Sequence, residues 1–214
     1  ISGRVIVNGS TVKTLGLKFD EKAIIKIDGK IIKKINEIIT IAMFKPAGYV
    51  CSKKDPFNSK TIYDLLPANL HHLTYAGRLD KDSEGLVILS NDGDLIQKLS
   101  HPKFEHEKEY EVTVKGSPKN EDLHILESGK LKLDNYQLNP VHFKILRSED
   151  GKTIISLQLS EGRKRQIRRM MDSLGFPVLY LLRTKIADYA LGNLNLKKGE
   201  WKIPRFQREF VWEK

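Results

Sequence analysis

The stretch YAGRLDKDSEGLVILSNDG, residues 75–93, restricts what this chain can fold into more than any other segment. The apolar run GLVILS stands between turn-forming residues, which is typical of a strand that is buried on both faces of a sheet. Five charged side chains come directly before that run: Arg78, Asp80, Lys81, Asp82 and Glu84. Charged groups beside a core are rare unless they are paired or functional. The segment therefore predicts a buried strand that begins at a charged turn with a specific use.

The other patterns predict an α+β fold built on a mixed, largely antiparallel sheet that is flanked by helices. The segment EKEYEVTVKG alternates as a strand and puts Tyr110, Val112 and Val114 on one face. INEIITIAMF and KTIISLQLSEG indicate further strands, and NDGDLIQKLSH indicates a helix. Hairpins or long excursions join the strands, without regular βαβ alternation, and this favours the α+β class.

Two hairpin signals occupy the start of the chain. Asn8 and Asp28 each precede a glycine and stand between apolar runs, which favours tight turns. This segment is too short to build its own core. We therefore expect residues 1–38 to be the last part of a small module plus a linker, followed by one larger domain over residues 39–214. The first residue is Ile1 and not Met, which we interpret as a start inside a longer protein.

The charge balance favours a polyanionic partner. Lys and Arg total 37 against 27 Asp and Glu, a formal net charge of +10, and such an excess most often accompanies nucleic-acid binding. A basic surface kept for solubility is the alternative. No apolar run approaches the roughly 20 residues of a membrane span, so no membrane association is expected. Cys51 is the single cysteine, which excludes an intramolecular disulfide and suits a reducing cytoplasm.

The clearest helical periodicity follows the strand KTIISLQLSEG. One apolar stripe is formed at i, i+3, i+4 and i+7 by Ile167, Met170, Met171 and Leu174. The helix is expected to begin near Arg163 and to end before Gly175. At about 100° per residue, Arg165 and Arg169 point away from the stripe and Arg168 falls at its edge. An arginine at that edge can extend along the domain surface and pair with a half-buried group.

Several kinds of site are excluded by the motifs. The six histidines form no helical HxxxH pair, and one cysteine cannot build a cysteine-rich zinc site, so no metal is expected. Neither a P-loop nor a GxGxxG segment occurs, which argues against a nucleotide cofactor. The G-x-S-x-G elbow of serine hydrolases does not occur either.

Four polar side chains stand at edges of strands or of the helix, beside apolar runs that must pack together. They are Lys45, Asp80, Tyr110 and Arg168. Taken alone, Asp80 could equally be a carboxylate that stabilises its turn, and the basic segment GRKRQIRRM could be a solvated or an RNA-contacting face. Taken together, the four residues indicate one site.

Four segments carry a resemblance to a known family. KPAGYV, GRLDKDSEGLVILSNDG, EKEYEVTV and EGRKRQIRRMMDSLGFPVLYLLR resemble the ordered motifs of the RNA pseudouridine synthases, most closely those of the RsuA-type branch. The resemblance covers about residues 41–205. Residues 1–34 resemble the last part of the small alpha-L RNA-binding module that precedes the catalytic domain in this branch. The implied fold is a pseudouridine synthase catalytic domain preceded by part of that module.

The resemblance implies the isomerisation of a uridine to pseudouridine without a cofactor. Asp80 matches the family's nucleophile, which breaks the N-glycosidic bond and lets the uracil rotate and re-attach through carbon. The atom that Asp80 attacks is left open. Arg168 would hold Asp80 charged and aimed, because desolvation alone disfavours the ionised form. Tyr110 would stack on the uracil and remove the proton from the carbon that forms the new bond.

The resemblance also implies residues that contact the substrate. Arg78 would occupy the space left by the flipped base and contact phosphate, and Ile167 would pack against the pocket. Lys45 has two open interpretations, a structural loop residue or a phosphate contact. The remaining basic positions expected to contact RNA are Arg163, Arg165 and Arg169.

Ribosomal RNA or a pre-ribosomal particle is the expected partner of a monomeric enzyme. The segment RTKIADYALGNLNLKKGEW favours the large-subunit enzymes of the branch. Two other functions stay open, a non-catalytic RNA-binding or ribosome-assembly factor with the same fold, and the same chemistry on tRNA. Loss of the aspartate, the tyrosine or the arginine would favour the non-catalytic factor, and all three positions are filled here.

Overall fold

The computed structural model describes residues 3–20, 22–32, 37–57, 59–104 and 106–204. The chain divides into two compact units, Ile1–Ile38 and Ile39–Lys214. Residues 1–2, 21 and 33–36 of the predicted first segment, and residues 58, 105 and 205–214 of the predicted larger domain, lie outside the described residues.

The first unit contains a small antiparallel sheet. Its strands are β1 (Val5–Val7), β2 (Ser10–Val12), β3 (Ile25–Ile27) and β4 (Lys30–Ile32), in the order β2-β1-β3-β4. Asn8 and Asp28 take left-handed backbone angles, with φ of 48° and 50°, and the glycine after each also has a positive φ. Such two-residue turns match the twist of the strands that they join. The two predicted hairpins are confirmed.

The second unit is built on a nine-stranded sheet with a separate two-stranded hairpin. Its strands, in chain order, are β5 (Thr40–Lys45), β6 (Thr74–Ala76), β7 (Glu84–Ser90), β8 (Lys108–Lys115), β9 (Lys132–Leu133), β10 (Tyr136–Gln137), β11 (His142–Glu149), β12 (Lys152–Leu159), β13 (Val178–Ile186), β14 (Tyr189–Ala190) and β15 (Trp201–Lys202). The sheet has the order β11-β12-β8-β13-β7-β5-β15, with β14 beside β13 and β6 beside β7, while β9 and β10 pair with each other. β13 and β7 are parallel, and the other pairs in the sheet are antiparallel.

Helices accompany this sheet. They are α1 (Gly93–Ser100), α2 (Asn120–Glu127), α3 (Gln166–Ser173) and α4 (Leu191–Leu194), with short 3-10 turns at Ile62–Leu65, Ala68–Leu70 and Pro102–Phe104. The predicted α+β fold with a mixed, largely antiparallel sheet is confirmed. In the described part of the chain, no helix combines the length and the apolar character that a membrane crossing needs.

β7 is the buried strand that the apolar run predicted. All of its residues are buried. Val87 and Leu89 belong to one apolar cluster, and Leu86 and Ile88 belong to a second one, so the alternation of the strand supplies both clusters. Gly85 allows β13 to lie close, because a Cβ at this position would stand 2.3 Å from a main-chain oxygen of β13.

β8 delivers a tyrosine to the core side of the sheet. Tyr110, Val112 and Val114 are buried, whereas Glu111 and Lys115 are exposed. This alternation confirms the predicted faces of the strand. The ring of Tyr110 therefore lies on the same face as the core residues of β8.

α3 carries the predicted apolar stripe but starts later than predicted. Ile167, Met170 and Met171 are buried in it. The first helical residue is Gln166 and not one near Arg163. Arg165 has a φ of 50°, a left-handed angle that a right-handed helix does not contain. The main-chain N–H of Arg163 donates to the Gln166 side chain at 2.9 Å, so the basic residues before position 166 form a loop in front of the helix.

Candidate active site

The charged turn of residues 77–83 connects the antiparallel strands β6 and β7. Leu79 is buried in the core, and its main-chain N–H donates to Cys51 Sγ at 3.4 Å. The side chains of Asp80 and Asp82 are 35% and 49% exposed. The turn is therefore anchored by its apolar residue while its carboxylates face outward.

Lys45, the last residue of β5, holds the turn from the interior. Its side chain is fully buried, and Nζ donates to the carbonyl oxygens of Ser83, Asp80 and Pro46 at 2.6, 3.0 and 3.1 Å. Burial lowers the pKa of the Lys45 ammonium below its ordinary value, because desolvation disfavours the charge. Since the ammonium faces main-chain carbonyls and not solvent, Lys45 is a structural loop residue. Of the two open interpretations, the structure supports the loop residue, and it contradicts the phosphate contact, because these three acceptors of Nζ are main-chain carbonyls.

A pocket of about 610 Å³ opens beside this turn. Seven of the nine predicted site residues line it, namely Arg78, Asp80, Tyr110, Arg163, Arg165, Ile167 and Arg168. They come from the turn, from β8 and from the loop and first turn of α3. These segments are far apart in the sequence, and the fold brings them to one cavity.

Tyr110 and Ile167 provide apolar walls of the pocket. They are 8% and 6% exposed, and they face the cavity from β8 and from α3. Arg78 and Arg165 line the same cavity and are exposed. A pocket with both apolar walls and exposed cations suits a planar base that is attached to an anionic backbone.

Arg165 is the arginine that the structure brings to Asp80. Its Nη1 lies 3.7 Å from Asp80 Oδ2 and 3.0 Å from Asp82 Oδ1, and its Nη2 donates to Asp82 Oδ2 at 3.2 Å. The helical period predicted that Arg165 points away from the apolar stripe, and Arg165 was expected to contact RNA. That expectation used the helical period, and Arg165 precedes the helix in a left-handed conformation, so the period does not determine its direction.

Arg168 pairs with Asp82 and not with Asp80. Its Nη2 lies 3.3 Å from Asp82 Oδ2 and donates to the Asp82 carbonyl at 3.1 Å, while Nη1 donates to the Val178 carbonyl at 3.2 Å. The side chain is 13% exposed, which confirms its place at the edge of the stripe. The predicted ion pair with Asp80 is absent among the contacts of the described residues. Asp82, two residues further along the turn, presents its carboxylate and its carbonyl to α3 instead.

Asp82 therefore binds both Arg165 and Arg168, a role that was not predicted from the sequence. Partial burial on its own would raise the pKa of Asp82. The hydrogen bond from Arg165 and the charges of Arg168 and Arg165 outweigh this effect, so the pKa lies below its ordinary value. The charged composition of the turn was the only signal in the sequence, and it does not tell one carboxylate from the other.

Arg169 does not line the pocket. Its Nη2 lies 2.6 Å from Asp134 Oδ1, in the turn between β9 and β10, so it ties that hairpin to α3. Arg163 stacks on the ring of Tyr136 in the same hairpin. The expected contact of Arg169 with RNA stays a prediction.

Glu84, at the start of β7, is a second residue whose role was missed. Its Oε2 accepts a hydrogen bond from Tyr180 at 2.5 Å and lies 2.6 Å from Lys198 Nζ, and its Oε1 accepts from the Ala47 N–H at 3.3 Å. Desolvation would raise the pKa of Glu84, but the hydrogen bonds from Lys198, Tyr180 and the Ala47 amide outweigh it and lower that pKa. Glu84 thus ties the KPAG loop to the strand that follows the turn.

Arg183 on β13 is the third residue that was missed. It is 1% exposed and donates to the carbonyl oxygens of Leu86 and Arg78 at 2.8 and 3.3 Å. The sequence did contain a signal for this role. Arg183 follows the apolar run VLYLL, in a segment where a buried strand and not a surface residue is expected.

The pocket lining offers the carboxylates of Asp80 and Glu161, the phenols of Tyr75 and Tyr110, and guanidinium groups. Within the described residues, no group of three or more His, Cys, Asp or Glu side chains is arranged to hold a metal ion. A carboxylate can act as a nucleophile, and a phenol can take or give a proton. The guanidinium groups can stabilise the ionised carboxylate and bind phosphate.

Comparison with known proteins agrees with this arrangement. The family model for RNA pseudouridylate synthase matches residues 39–173. The chain is 36% identical over 194 residues to ribosomal large subunit pseudouridine synthase B of Bacillus subtilis, which covers 90% of this chain and 78% of that protein. It is also 36% identical over 197 residues to an uncharacterized RNA pseudouridine synthase of Mycobacterium leprae, with 90% and 77% covered.

A solved structure gives the same result. The chain resembles a crystal structure of a pseudouridylate synthase with a TM-score of 0.71 and 32% sequence identity, over 94% of this chain and 85% of that one. The agreement extends over most of the chain, and the family model includes the turn of residues 77–83, β8 and the start of α3.

Proposed function

This chain belongs to the RNA pseudouridylate synthase family, and we propose that it converts one uridine of large-subunit ribosomal RNA to pseudouridine. Members of this family are isomerases. The relative from Bacillus subtilis is named for the large ribosomal subunit, which supports this choice of RNA. The observation that carries the proposal is that Asp80, Tyr110 and Arg165 line one pocket, with an arginine nitrogen 3.7 Å from the Asp80 carboxylate.

Asp80 is the nucleophile of the proposed reaction. Its attack on the target nucleotide lets the bond between N1 of uracil and C1′ of ribose break. The base then rotates within the pocket, and its C5 bonds to C1′. The proton on C5 leaves and N1 gains one, so substrate and product have the same atoms and Asp80 is regenerated.

Tyr110 is the proposed base. Its ring stands on the buried face of β8 and lines the pocket, so it can stack on uracil. Its phenolic oxygen can take the C5 proton once C5 is bonded to C1′. Ile167 on the facing helix helps to keep the detached base from diffusing away.

We assign to Arg165 the role that was predicted for Arg168, which is to keep Asp80 ionised and oriented. A cation close to Asp80 favours the ionised carboxylate that the attack needs. Arg168 instead holds the other carboxylate of the turn, through Asp82. The two arginines together keep both carboxylates of the turn in defined positions.

The proposed reaction uses no cofactor. One bond between base and sugar is exchanged for another, and no electrons or atoms are transferred to a second substrate. The protein's own carboxylate and phenol supply the nucleophile and the proton carrier, which is all that this isomerisation requires.

RNA binding is assigned to the basic rim of the pocket. Arg78, Arg163 and Arg165 line the cavity, and Arg169 lies on the next turn of α3. Arg78 stands two residues before Asp80, where it can contact phosphate and fill the space left by a flipped uridine. We assign residues 1–38 to part of an RNA-binding module on the resemblance of their sequence. The monomeric state and the cytoplasmic location stay predictions.

The test is to map pseudouridine in the ribosomal RNA and tRNA of a strain that lacks the gene. We expect one large-subunit position to lose its pseudouridine, with recovery after complementation by the wild type and not by Asp80→Asn. Loss at a tRNA position would make tRNA the substrate. An unchanged map in both RNA classes would favour the non-catalytic assembly factor.

A further inference from the structure

Arg183 is a buried cation whose acceptors are main-chain carbonyls. It is 1% exposed, and no ion pair among the described residues includes it. Its Nε donates to the Leu86 carbonyl at 2.8 Å, and its Nη1 donates to the Arg78 carbonyl at 3.3 Å. One guanidinium therefore joins β13 to β7 and to the turn that carries Asp80.

The strand neighbours of Arg183 belong to the proposed site. Arg183 is paired across the sheet with Tyr110 on β8 and with Gly85 on β7. Side chains at directly paired positions have Cβ atoms about 4.5–5.5 Å apart. Arg183 also approaches the start of the turn, since a Cβ at Gly77 would stand 3.7 Å from its Nη1. It thus stands between the turn of the proposed nucleophile and the proposed base.

The contacts of Arg183 do not compensate fully for the burial of its charge. Neutral carbonyls replace only part of the hydration that a guanidinium loses. Its Nη2 is buried without a hydrogen-bond partner in the described residues. Arg183 also contributes, after desolvation, to the lowered pKa of the buried Lys45 ammonium. An apolar side chain at this position of β13 would avoid the cost of desolvating a guanidinium, so the charge indicates a requirement other than stability.

Arg183 and Lys45 hold the turn at successive points. Arg183 binds the carbonyl of Arg78, two residues before Asp80. Lys45 binds the carbonyl of Asp80 itself and that of Ser83. The nucleophile is therefore fixed between an anchor on β13 and an anchor on β5, two of the strands that pair with β7.

We propose that Arg183 is a positioning residue that sets the distance between Asp80 and Tyr110 by tying the Arg78 carbonyl to β13. The proposal rests on the roles given to Asp80 and Tyr110 in the proposed function. Arg183 does not line the pocket and acts through the turn, without touching the substrate. Because a displacement of about 1 Å can lower a rate about 100-fold, the loss of one anchor is measurable in a protein that still folds.

The experiment compares the wild type with Arg183→Met, Arg183→Lys and Asp80→Asn in the full chain. Single-turnover rates at saturating enzyme and Kd are measured on unmodified large-subunit ribosomal RNA transcribed in vitro. Amide hydrogen exchange is followed across residues 77–83. For Arg183→Met we expect the rate to fall about 100-fold with unchanged Kd and faster exchange in the turn. Arg183→Lys should recover part of the rate, since an ammonium cannot replace the planar fork on two carbonyls.

Lys108→Met is the matched control. Lys108 is a half-buried cation on the neighbouring strand β8, and its Nζ donates to the His106 carbonyl at 2.9 Å and not to the turn. Its removal should leave the rate and the exchange of residues 77–83 unchanged. A loss equal to that of Arg183→Met would mean that any buried cation in this region has the same effect, and it would overturn the specific role of Arg183.

Arg183→Lys keeps the proposal testable if Arg183→Met does not fold. A wild-type rate and unchanged exchange in the lysine variant would overturn the two-carbonyl anchor. A rate that falls only in proportion to the unfolded fraction, with faster exchange throughout the sheet, would reduce Arg183 to a structural residue. Full activity of Asp80→Asn would instead overturn the proposed nucleophile, and the exchange of residues 77–83 would still test whether Arg183 fixes the turn.

Discussion

Arg168 is bound to Asp82, with 3.3 Å between Nη2 and Oδ2, and its guanidinium also reaches the Asp82 carbonyl. The contact joins α3 to the second carboxylate of the turn. It leaves Asp80 with Arg165, at 3.7 Å, as its ion-pair partner among the described residues. Two acidic groups two residues apart therefore take different roles, one as an anchor and one as the group that faces the pocket.

Asp80→Asn should abolish pseudouridine formation and leave RNA binding close to normal. The amide has nearly the same shape but cannot act as a carboxylate nucleophile. Turnover and Kd are measured on the same ribosomal RNA transcript. Asp150→Asn, in the turn between β11 and β12, is the control and should behave as the wild type. Product from Asp80→Asn above a mock preparation would show that another group is the nucleophile.

Tyr110→Phe should lower the rate of product formation more than it lowers RNA affinity. The ring remains to stack on uracil, and only the hydroxyl that takes the proton is lost. The measurement is a single-turnover time course combined with a binding isotherm. Tyr189→Phe is the control, since Tyr189 on β14 does not line the pocket. An unchanged rate in Tyr110→Phe would leave Tyr110 only its stacking role.

The three arginines around α3 should differ in their effects on the rate. Arg165→Ala should lower the single-turnover rate about tenfold, equivalent to about 1.4 kcal/mol in the barrier, because Asp80 loses its paired cation. Arg168→Ala should also destabilise the fold, by about 1–3 kcal/mol, because its hydrogen bonds to the carbonyls of Asp82 and Val178 are lost. Single-turnover rates measured across pH report the loss of the cation beside Asp80, and the free energy of unfolding reports the destabilisation of the fold.

Arg169→Ala is the control for this series. Arg169 is bound to Asp134 outside the pocket, so its removal should affect RNA affinity and not the rate at saturating enzyme. Arg168→Lys should restore only part of what Arg168→Ala loses, since lysine lacks the planar fork. An inactive Arg169→Ala beside a normal Arg165→Ala would contradict the assignment of Arg165 to Asp80.

The periodic parts of the structure could be predicted from the sequence because period is a local property. The apolar run of β7, the alternation of β8 and the stripe of α3 each follow from the spacing of their own residues. Most residues that line the pocket were predictable as well, because they stand at or near the ends of these three elements. The order of the strands in the sheet, with β13 parallel to β7, depends on long-range pairing that no local pattern specifies.

The partners of charged groups were not predictable in the same way. α3 starts three residues later than predicted. Arg165 therefore lies in the loop before the helix, and the helical period does not determine the direction of its side chain. The sequence pattern does not distinguish an exposed lysine at the end of a strand from one that, like Lys45, is fully buried against carbonyls. Arg183 likewise has acceptors on two other segments, and only the folded chain brings those carbonyls to it.

RNA affinity should fall steeply with salt. Each phosphate that the protein neutralises makes the slope of log affinity against log salt more negative, by about 0.9 on a B-form duplex and by about 0.7 on single strands. Arg163→Ala should make the slope less negative by about one such unit, since Arg163 lines the pocket rim. Lys144→Ala on β11 is the control and should leave it unchanged. An affinity that stays constant between about 50 and 200 mM salt would contradict phosphate binding by this rim.

Glu84→Gln should destabilise the fold at neutral pH, by about 1–3 kcal/mol. Glutamine has a single acceptor oxygen, so it can keep the hydrogen bond from Tyr180 or the one from the Ala47 amide but not both, and it loses the charge that faces Lys198. The pKa of Glu84 is lowered in the folded protein, so its contribution is fully present above the unfolded pKa of about 4.3. That contribution is lost as pH falls through the lower pKa of the folded state.

The difference in unfolding free energy between the wild type and Glu84→Gln should therefore shrink as pH falls below about 4.3. Urea titrations at several pH values between neutrality and about pH 3 measure it. Below the lowered pKa of the folded state, Glu84 is protonated and, like glutamine, carries no charge, so the two proteins should converge there. Glu121→Gln is the control, because Glu121 is an exposed residue in the first turn of α2. A difference that stays constant over this range would mean that the charge of Glu84 does not stabilise the start of β7.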